Sequence, residues 1–170
     1  HGTGRTEIGW IHVIGTPGLL NTASADVDLD VLPDAWEQPL IAASDGLFTD
    51  ISQILPGDDF DSDGLDNLSE FYLGTDPVSP DSELAALLIS VADGQVHVGF
   101  PTIPVTGSAY ATYNGRFYTL LSTTNLPGAQ WSAVPDYSDL PAGGPVVFTN
   151  AVIHPFEAYR FDAELRPVRP

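Results

Sequence analysis

Apolar positions change their spacing twice along this chain. Residues 7–14 alternate: Ile8, Trp10, His12 and Ile14 fall on one face, and Glu7, Ile11 and Val13 on the other. That period predicts a strand over Glu7–Ile14, covered on both sides because both faces are partly apolar. Gly15, Pro17 and Gly18 stop it. The segment that follows is acidic, so the strand has no adjacent hairpin partner. It must pair with a distant strand of its own chain or with a neighbour's sheet, since a bare apolar edge invites association. The middle of the chain reads as short helices in irregular backbone. Leu65, Leu68 and Tyr72, with Phe71 nearby, predict a helix over Asp66–Leu73, closed by Gly74 and blocked by Pro77. Pro33 to Glu37 suits a first helical turn, Trp36 is expected in the core, and Pro39 keeps that helix short or kinked. Asp50–Leu55 reads as a further helical turn ended by Pro56-Gly57, and Asp45-Gly46 as a turn.

From residue 84 onward, β-type residues dominate. Candidate strands are Ala86–Val91, Gln95–Phe100, Ala109–Tyr113, Phe117–Ser122, Gln130–Val134, Pro145–Thr149 and Ala158–Glu164. Ala92-Asp93-Gly94 is expected to join the first pair as a hairpin, and Asn114-Gly115 the third and fourth strands. Short strands with turns this frequent predict an antiparallel sandwich.

Charge sharpens the division. The chain has 170 residues and a net charge of −18, with no lysine. Its arginines are Arg5, Arg116, Arg160, Arg166 and Arg169, while residues 26–83 hold 16 of the 23 carboxylates. Such a segment repels itself unless cations are bound. The sign is wrong for nucleic acid, whose phosphates attract Lys and Arg. No apolar run approaches the length of a membrane span. Hydrophobic residues at 43% and aromatics at 10% are enough for a packed core. Cysteine is absent, which excludes disulfides and thiol chemistry.

Those carboxylates are ordered. Asp59, Asp61, Asp63, Gly64 and Glu70 have the spacing D-x-D-x-D-G-x5-E of a calcium loop. Calcium takes six to eight oxygens. Asp59, Asp61 and Asp63 supply positions 1, 3 and 5, and Leu65 its carbonyl at position 7. Asn67 lies at position 9, acting directly or through water, and Glu70 at position 12 can give both oxygens. Gly64 permits the sharp turn. Residues 26–37 repeat the pattern 33 positions earlier, with Asp26, Asp28, Asp30, Leu32, Asp34 and Glu37 at the same places. Val31 replaces the turn glycine, and a β-branched residue is costly at positive φ. This loop is therefore expected to bind more weakly or to fold differently.

The stretch DFDSDGLDNLSEFYLGTDPVSPDSE resembles the thrombospondin type 3 calcium repeats common in bacterial exported proteins, and DVDLDVLPDAWEQ is similar to their D-G-L-P-D-x-W-E variant with the glycine lost. The resemblance covers residues 26–83. It implies calcium-dependent folding of a small module, with Asp76 and Asp81 as extra ligands. More loosely, GRFYTLLSTTNL, Trp131 and AYRFDAEL resemble the small β-sandwich modules that end many bacterial secreted and surface proteins. The expected fold is thus mainly β: an antiparallel β-sandwich (84–170) preceded by an N-terminal strand segment (1–24) and an EF-hand-like calcium-loop module with short helices (25–83).

Catalytic patterns are sparse. His1, His12, His97 and His154 form no zinc spacing, and no G-x-S-x-G elbow occurs. His1, if it is a mature terminus, raises the idea of a copper site as in lytic polysaccharide monooxygenases, but the rest of that pattern, including paired cysteines, is missing. Asp93, Asp136, Asp139, Glu157, Asp162 and Glu164 sit in no motif. Tyr110, Tyr113, Tyr118, Trp131 and Tyr137 suit either a core or a sugar platform. The first residue being His, and the calcium loops, favour an exported chain with its signal peptide removed, secreted or at a bacterial cell surface. The expectation is a non-enzymatic, calcium-stabilised structural protein that self-assembles through strand addition. A carbohydrate- or protein-binding module is the alternative, and a copper enzyme using His1 the remote one.

Overall fold

Alternation in the C-terminal half resolves into two facing sheets. The computed structural model describes residues 12–13, 25–81, 88–128, 130–151 and 157–168. One sheet joins β2 (Leu88–Ala92), β3 (Gln95–Phe100) and β7 (Val146–Ala151) in the order β2-β3-β7, all antiparallel. The other is built on β4 (Tyr113–Thr123) and β8 (Ala158–Pro167), which pair antiparallel along most of their length. The two-residue strands β5 (Ser132–Ala133) and β6 (Leu140–Pro141) lie along β4. A two-residue β1 (His12–Val13) adds to β8 in parallel, with His12 opposite Asp162. Of the expected strand Glu7–Ile14, this pair is the described part, and its partner is a distant strand of the same chain.

Every second residue of β3 points inward. Val96, Val98 and Phe100 meet Tyr118 and Leu120 of β4, Phe148 of β7, and Tyr159, Phe161 and Ala163 of β8. Phe100 stacks on Phe161 with ring centroids 5.1 Å apart. The molecule is a mainly β protein with a sandwich core. Asp93 and Gly94, at φ +52 and +74, make the β2–β3 hairpin turn read from the sequence.

A second, smaller core lies under the acidic segment. Helix α1 (Asp34–Ala43) and helix α2 (Asn67–Leu73) bring Trp36, Leu40, Phe71 and Tyr72 against Leu32, Ile54, Ala109 and Leu165. Asp66 caps α2, its side chain accepting from Ser69 N at 2.7 Å, and Gly74 ends the helix in the left-handed conformation at φ +85. The expected turn near Asp50 is a short 3-10 helix, Ile51–Gln53, closed by reciprocal bonds between Asp50 and Gln53.

Three expectations need correction. Helix α1 continues through Pro39 to Ala43. Pro39 removes one N–H from the ladder, yet Leu40 just beyond it is fully buried, so packing carries the helix on. The strand expected at Ala109–Tyr113 is instead a 3-10 turn, Ser108–Tyr110, leading into β4. The Tyr110 ring stacks on Phe71 at 5.1 Å and its hydroxyl donates to the Phe71 carbonyl, which holds that turn against α2. Asn114-Gly115 is therefore no hairpin. Neither residue takes the positive φ that such a turn requires, and both lie in β4 where its register with β8 shifts at a bulge.

Candidate metal centre

The two acidic loops fold alike. In each, the first aspartate turns back to accept from the loop's own backbone. Asp26 takes the amides of Asp30 and Val31 (both 3.2 Å), and Asp59 those of Ser62 (2.8 Å) and Gly64 (3.0 Å). Asp30 accepts from Leu32 N at 2.9 Å, and Asp63 from Leu65 N at 2.7 Å. The backbone angles repeat: Leu29 and Ser62 have φ of +64 and +67, and Val31 and Gly64 have +93 and +98. The lost glycine thus does not change the loop's path; Val31 takes the strained conformation instead.

Asp26, Asp28 and Asp30 form one group of carboxylates, with an oxygen from each within 4.8 Å of the others, and Asp59, Asp61 and Asp63 form another. Oxygens about a cation bound at 2.3–2.6 Å are separated by up to about 5 Å, so both groups have a suitable span. The expected position 12 ligands, Glu37 and Glu70, belong to neither of these groups. Glu37 lies in the first turn of α1 and Glu70 in that of α2, and both are fully buried.

The unpaired atoms carry the most information. Both carboxylate oxygens of Glu37 and one of Glu70 are buried without a hydrogen-bond partner. So is one oxygen each of Asp28, Asp30, Asp61 and Asp63. These are positions 3, 5 and 12 in both loops. Buried polar atoms are normally satisfied, and an unpaired buried charge costs several kcal/mol or shifts its pKa. Burial, then Asp28 and Asp30, push the Glu37 carboxyl up to about 8. Burial also pushes Glu70 up to about 8, opposed by the Thr75 hydroxyl that donates to its Oε1 and reinforced by Asp61 and Asp63. Asp28, Asp30 and Asp61 are raised as well, mainly by burial. Carboxylate acceptors without donors are the type of atom that a hard divalent cation takes, and the two aspartate groups could hold one.

The remaining expected ligands divide. Leu32 is buried in the smaller core and Leu65 packs against the sandwich core, as position 7 residues whose side chains face inward. Asp34 accepts from Val27 N at 2.8 Å, tying loop start to helix start. Asn67 is buried, its amide donates to the Leu55 carbonyl at 2.8 Å, and its Oδ1 has no partner. Asp76 and Asp81 are exposed and belong to neither carboxylate group; Asp76 accepts from Val78 N at 3.3 Å. His1 and His154 lie outside the described residues, and His97 Nδ1 sits 3.1 Å from the Thr149 hydroxyl. The five aromatics form no exposed row: Tyr118 is fully buried, Tyr110 is stacked on Phe71, Tyr113 packs against the smaller core, Tyr137 packs on Phe148, and Trp131 lies under the Arg160 guanidinium.

One residue outside the expected ligand set ties this region to the sandwich. Arg116 on β4 is 1% exposed. Its guanidinium donates to the Ile103 carbonyl at 2.7 Å and to the Phe71 carbonyl at 3.1 Å, and it lies 5.0 Å from the Tyr110 ring centre. The Tyr118 hydroxyl donates to the Leu73 carbonyl at 3.2 Å. Phe71 and Leu73 belong to the last turn of α2, whose carbonyls lack helical donors and carry partial negative charge. A Cβ at Gly74 would overlap the guanidinium. The signal was available in the sequence: Arg116 is the only Lys or Arg between Arg5 and Arg160. No protein-family model, no curated protein and no solved structure matches the chain.

Proposed function

We propose that this chain is a non-enzymatic structural protein of the cell exterior, stabilised by one calcium ion in each acidic loop, and that it assembles into an extracellular or surface polymer. The observation that carries the reading is the set of buried, unpartnered carboxylate oxygens at matching positions of both loops. Calcium is preferred over magnesium because the donors are numerous carboxylates on an open loop rather than a compact octahedral set. Asp26, Asp28, Asp30 and Glu37 would hold one ion, and Asp59, Asp61, Asp63 and Glu70 the other, with Leu32, Leu65, Asp34 and Asn67 completing the shells. The structural role is supported by where the loops sit: each leads into a helix that forms the smaller core, so an ion there braces packing. The thrombospondin type 3 resemblance points the same way. Assembly would use the N-terminal segment, whose β1 adds to β8 within the chain and could take the same slot on a neighbour.

Calorimetric titration of metal-stripped protein with calcium tests the ion sites, and electron microscopy with and without chelator tests assembly. Two ions per chain and chelator-sensitive polymers are expected. Glu70→Gln should remove one ion, and deletion of residues 1–15 should abolish polymers while the monomer stays folded. Absence of calcium binding at millimolar concentration refutes the metal reading. Polymers from the truncated chain refute strand addition.

A further inference from the structure

The two position 12 glutamates differ in how their carboxylates are held. Both side chains are fully buried. Neither oxygen of Glu37 has a hydrogen-bond partner, whereas in Glu70 only Oε2 lacks one. The other oxygen of Glu70, Oε1, accepts from the Thr75 hydroxyl at 3.1 Å, and Thr75 is itself buried.

The difference follows from where the two helices end. Helix α2 stops at Leu73, and Gly74 turns left-handed with its N–H donating to the Glu70 carbonyl at 2.6 Å. Thr75, the next residue, then meets the Glu70 side chain. Helix α1 instead runs on to Ala43. The residue 33 positions before Thr75 is Ala42, inside that helix and without a hydroxyl to offer. A buried hydroxyl on one carboxylate oxygen fixes the rotation of the carboxylate and leaves the other oxygen as the free acceptor. Outer contacts of this kind orient and tune metal ligands.

Oxygen number separates the two common hard cations. Magnesium demands an octahedron, whereas calcium takes six to eight oxygens in a looser shell. With one oxygen from each of the other loop positions, a glutamate that gives one oxygen completes a shell of about six, and one that gives two a shell of about seven. We propose that Thr75 is a specificity-determining residue. It holds Glu70 as a one-oxygen ligand, so the second loop discriminates less against magnesium, while the unrestrained Glu37 gives both oxygens and makes the first loop selective for calcium. The inference rests on reading both loops as divalent-cation sites, and it assigns them different preferences.

The test uses the full chain, with each variant checked for native melting in calcium. Glu37→Gln leaves the second loop to be titrated alone, and Glu70→Gln the first. Calorimetric titration with calcium, repeated in excess magnesium, should show the second loop losing at least about tenfold more calcium affinity than the first, the lower end of what outer contacts to a ligand contribute. Added to Glu37→Gln, Thr75→Val removes the hydroxyl and should make the second loop as resistant to magnesium as the first. Thr75→Ser keeps the hydroxyl and should leave the second loop as sensitive as before. Infrared spectra in calcium give a separate readout, because a carboxylate that gives both oxygens to one ion has a lower antisymmetric stretch than one that gives a single oxygen. Thr75→Val alone should add such a band and Glu37→Gln alone should remove one, whereas loosened packing would do neither. Equal magnesium sensitivity of the two loops overturns the proposal and leaves the calcium reading standing. So does a Thr75→Val chain with unchanged selectivity and spectrum. A Thr75→Ser chain that behaves like Thr75→Val overturns it in favour of the threonine methyl. If Thr75→Val does not fold, the comparison of the two loops decides. A wild-type chain that takes up no calcium overturns both readings.

Discussion

Val31 holds φ +93 with a β-branched side chain, in the loop position where the sister loop has Gly64 at +98. Strain of this kind is worth about 1–3 kcal/mol, and glycine loses about 0.5–1 kcal/mol more backbone entropy on folding. Val31→Gly should therefore stabilise the calcium-loaded monomer by about 1 kcal/mol, a rise of about 2–4 °C in Tm for a chain of this size. Thermal melts of the two proteins in excess calcium check this. Glu37 and Glu70 supply a second expectation. Both are raised to about 8 in the folded, metal-free chain, so the folded state holds protons that the unfolded state releases above about 4.5. Their contribution to metal-free stability is complete below that value and disappears as pH climbs through 8. In chelator, Tm should fall between pH 5 and 8. If calcium binds as proposed, the trend in calcium should reverse, since an ion held by these two groups would need both carboxylates ionised. A metal-free melt independent of pH over that window would contradict the burial of these two groups.

Helix α2 has seven residues, too few to be stable alone. It is held by its two ends: Glu70 faces the second loop, and the last-turn carbonyls of Phe71 and Leu73 are gripped by Arg116 and Tyr118 of β4. Arg116→Met would leave the Ile103 carbonyl and the helix end without their charged donor. A loss of about 2–4 kcal/mol is expected, measured by denaturant unfolding. Arg116→Lys should rescue little, because an ammonium cannot present the planar fork that reaches both carbonyls. At this scale the sequence was legible where a local rule decides. Gln95–Phe100 alternates and is a strand; Asp66 and Gly74 bracket a helix; Asp93-Gly94 turns. It misled where a distant partner decides. Ala109–Tyr113 reads as a strand by composition, but Phe71, far away in sequence, captures the Tyr110 ring. Pro39 reads as a limit on α1, but the helix runs on past it to Ala43, where the burial of Leu40 supports it. The two aspartate groups, Asp26, Asp28 and Asp30 and Asp59, Asp61 and Asp63, were legible from spacing alone, because each loop is a local structure. Arg116 stood out as the lone cation between Arg5 and Arg160, but its partner did not, since nothing in the spacing from Phe71 to Arg116 shows that they meet.

Net charge is −18, and the acidic segment contributes most of it. Two divalent ions would cancel four of those charges at the points of closest approach. Filling a site at a thousandfold excess over its dissociation constant stabilises by about 4 kcal/mol, so chelation should lower Tm markedly. How that loss spreads depends on α2. Phe71 and Tyr72 belong to the smaller core, whereas Leu73, the next residue, belongs to the sandwich core. One short helix is thus common property of both halves, and neither half can come apart without stripping a side chain from the other. The molecule should then melt as a single cooperative unit. Scanning calorimetry should give one endotherm, with calorimetric and van't Hoff enthalpies equal, and chelator should move that peak down whole rather than split a low-temperature shoulder from it.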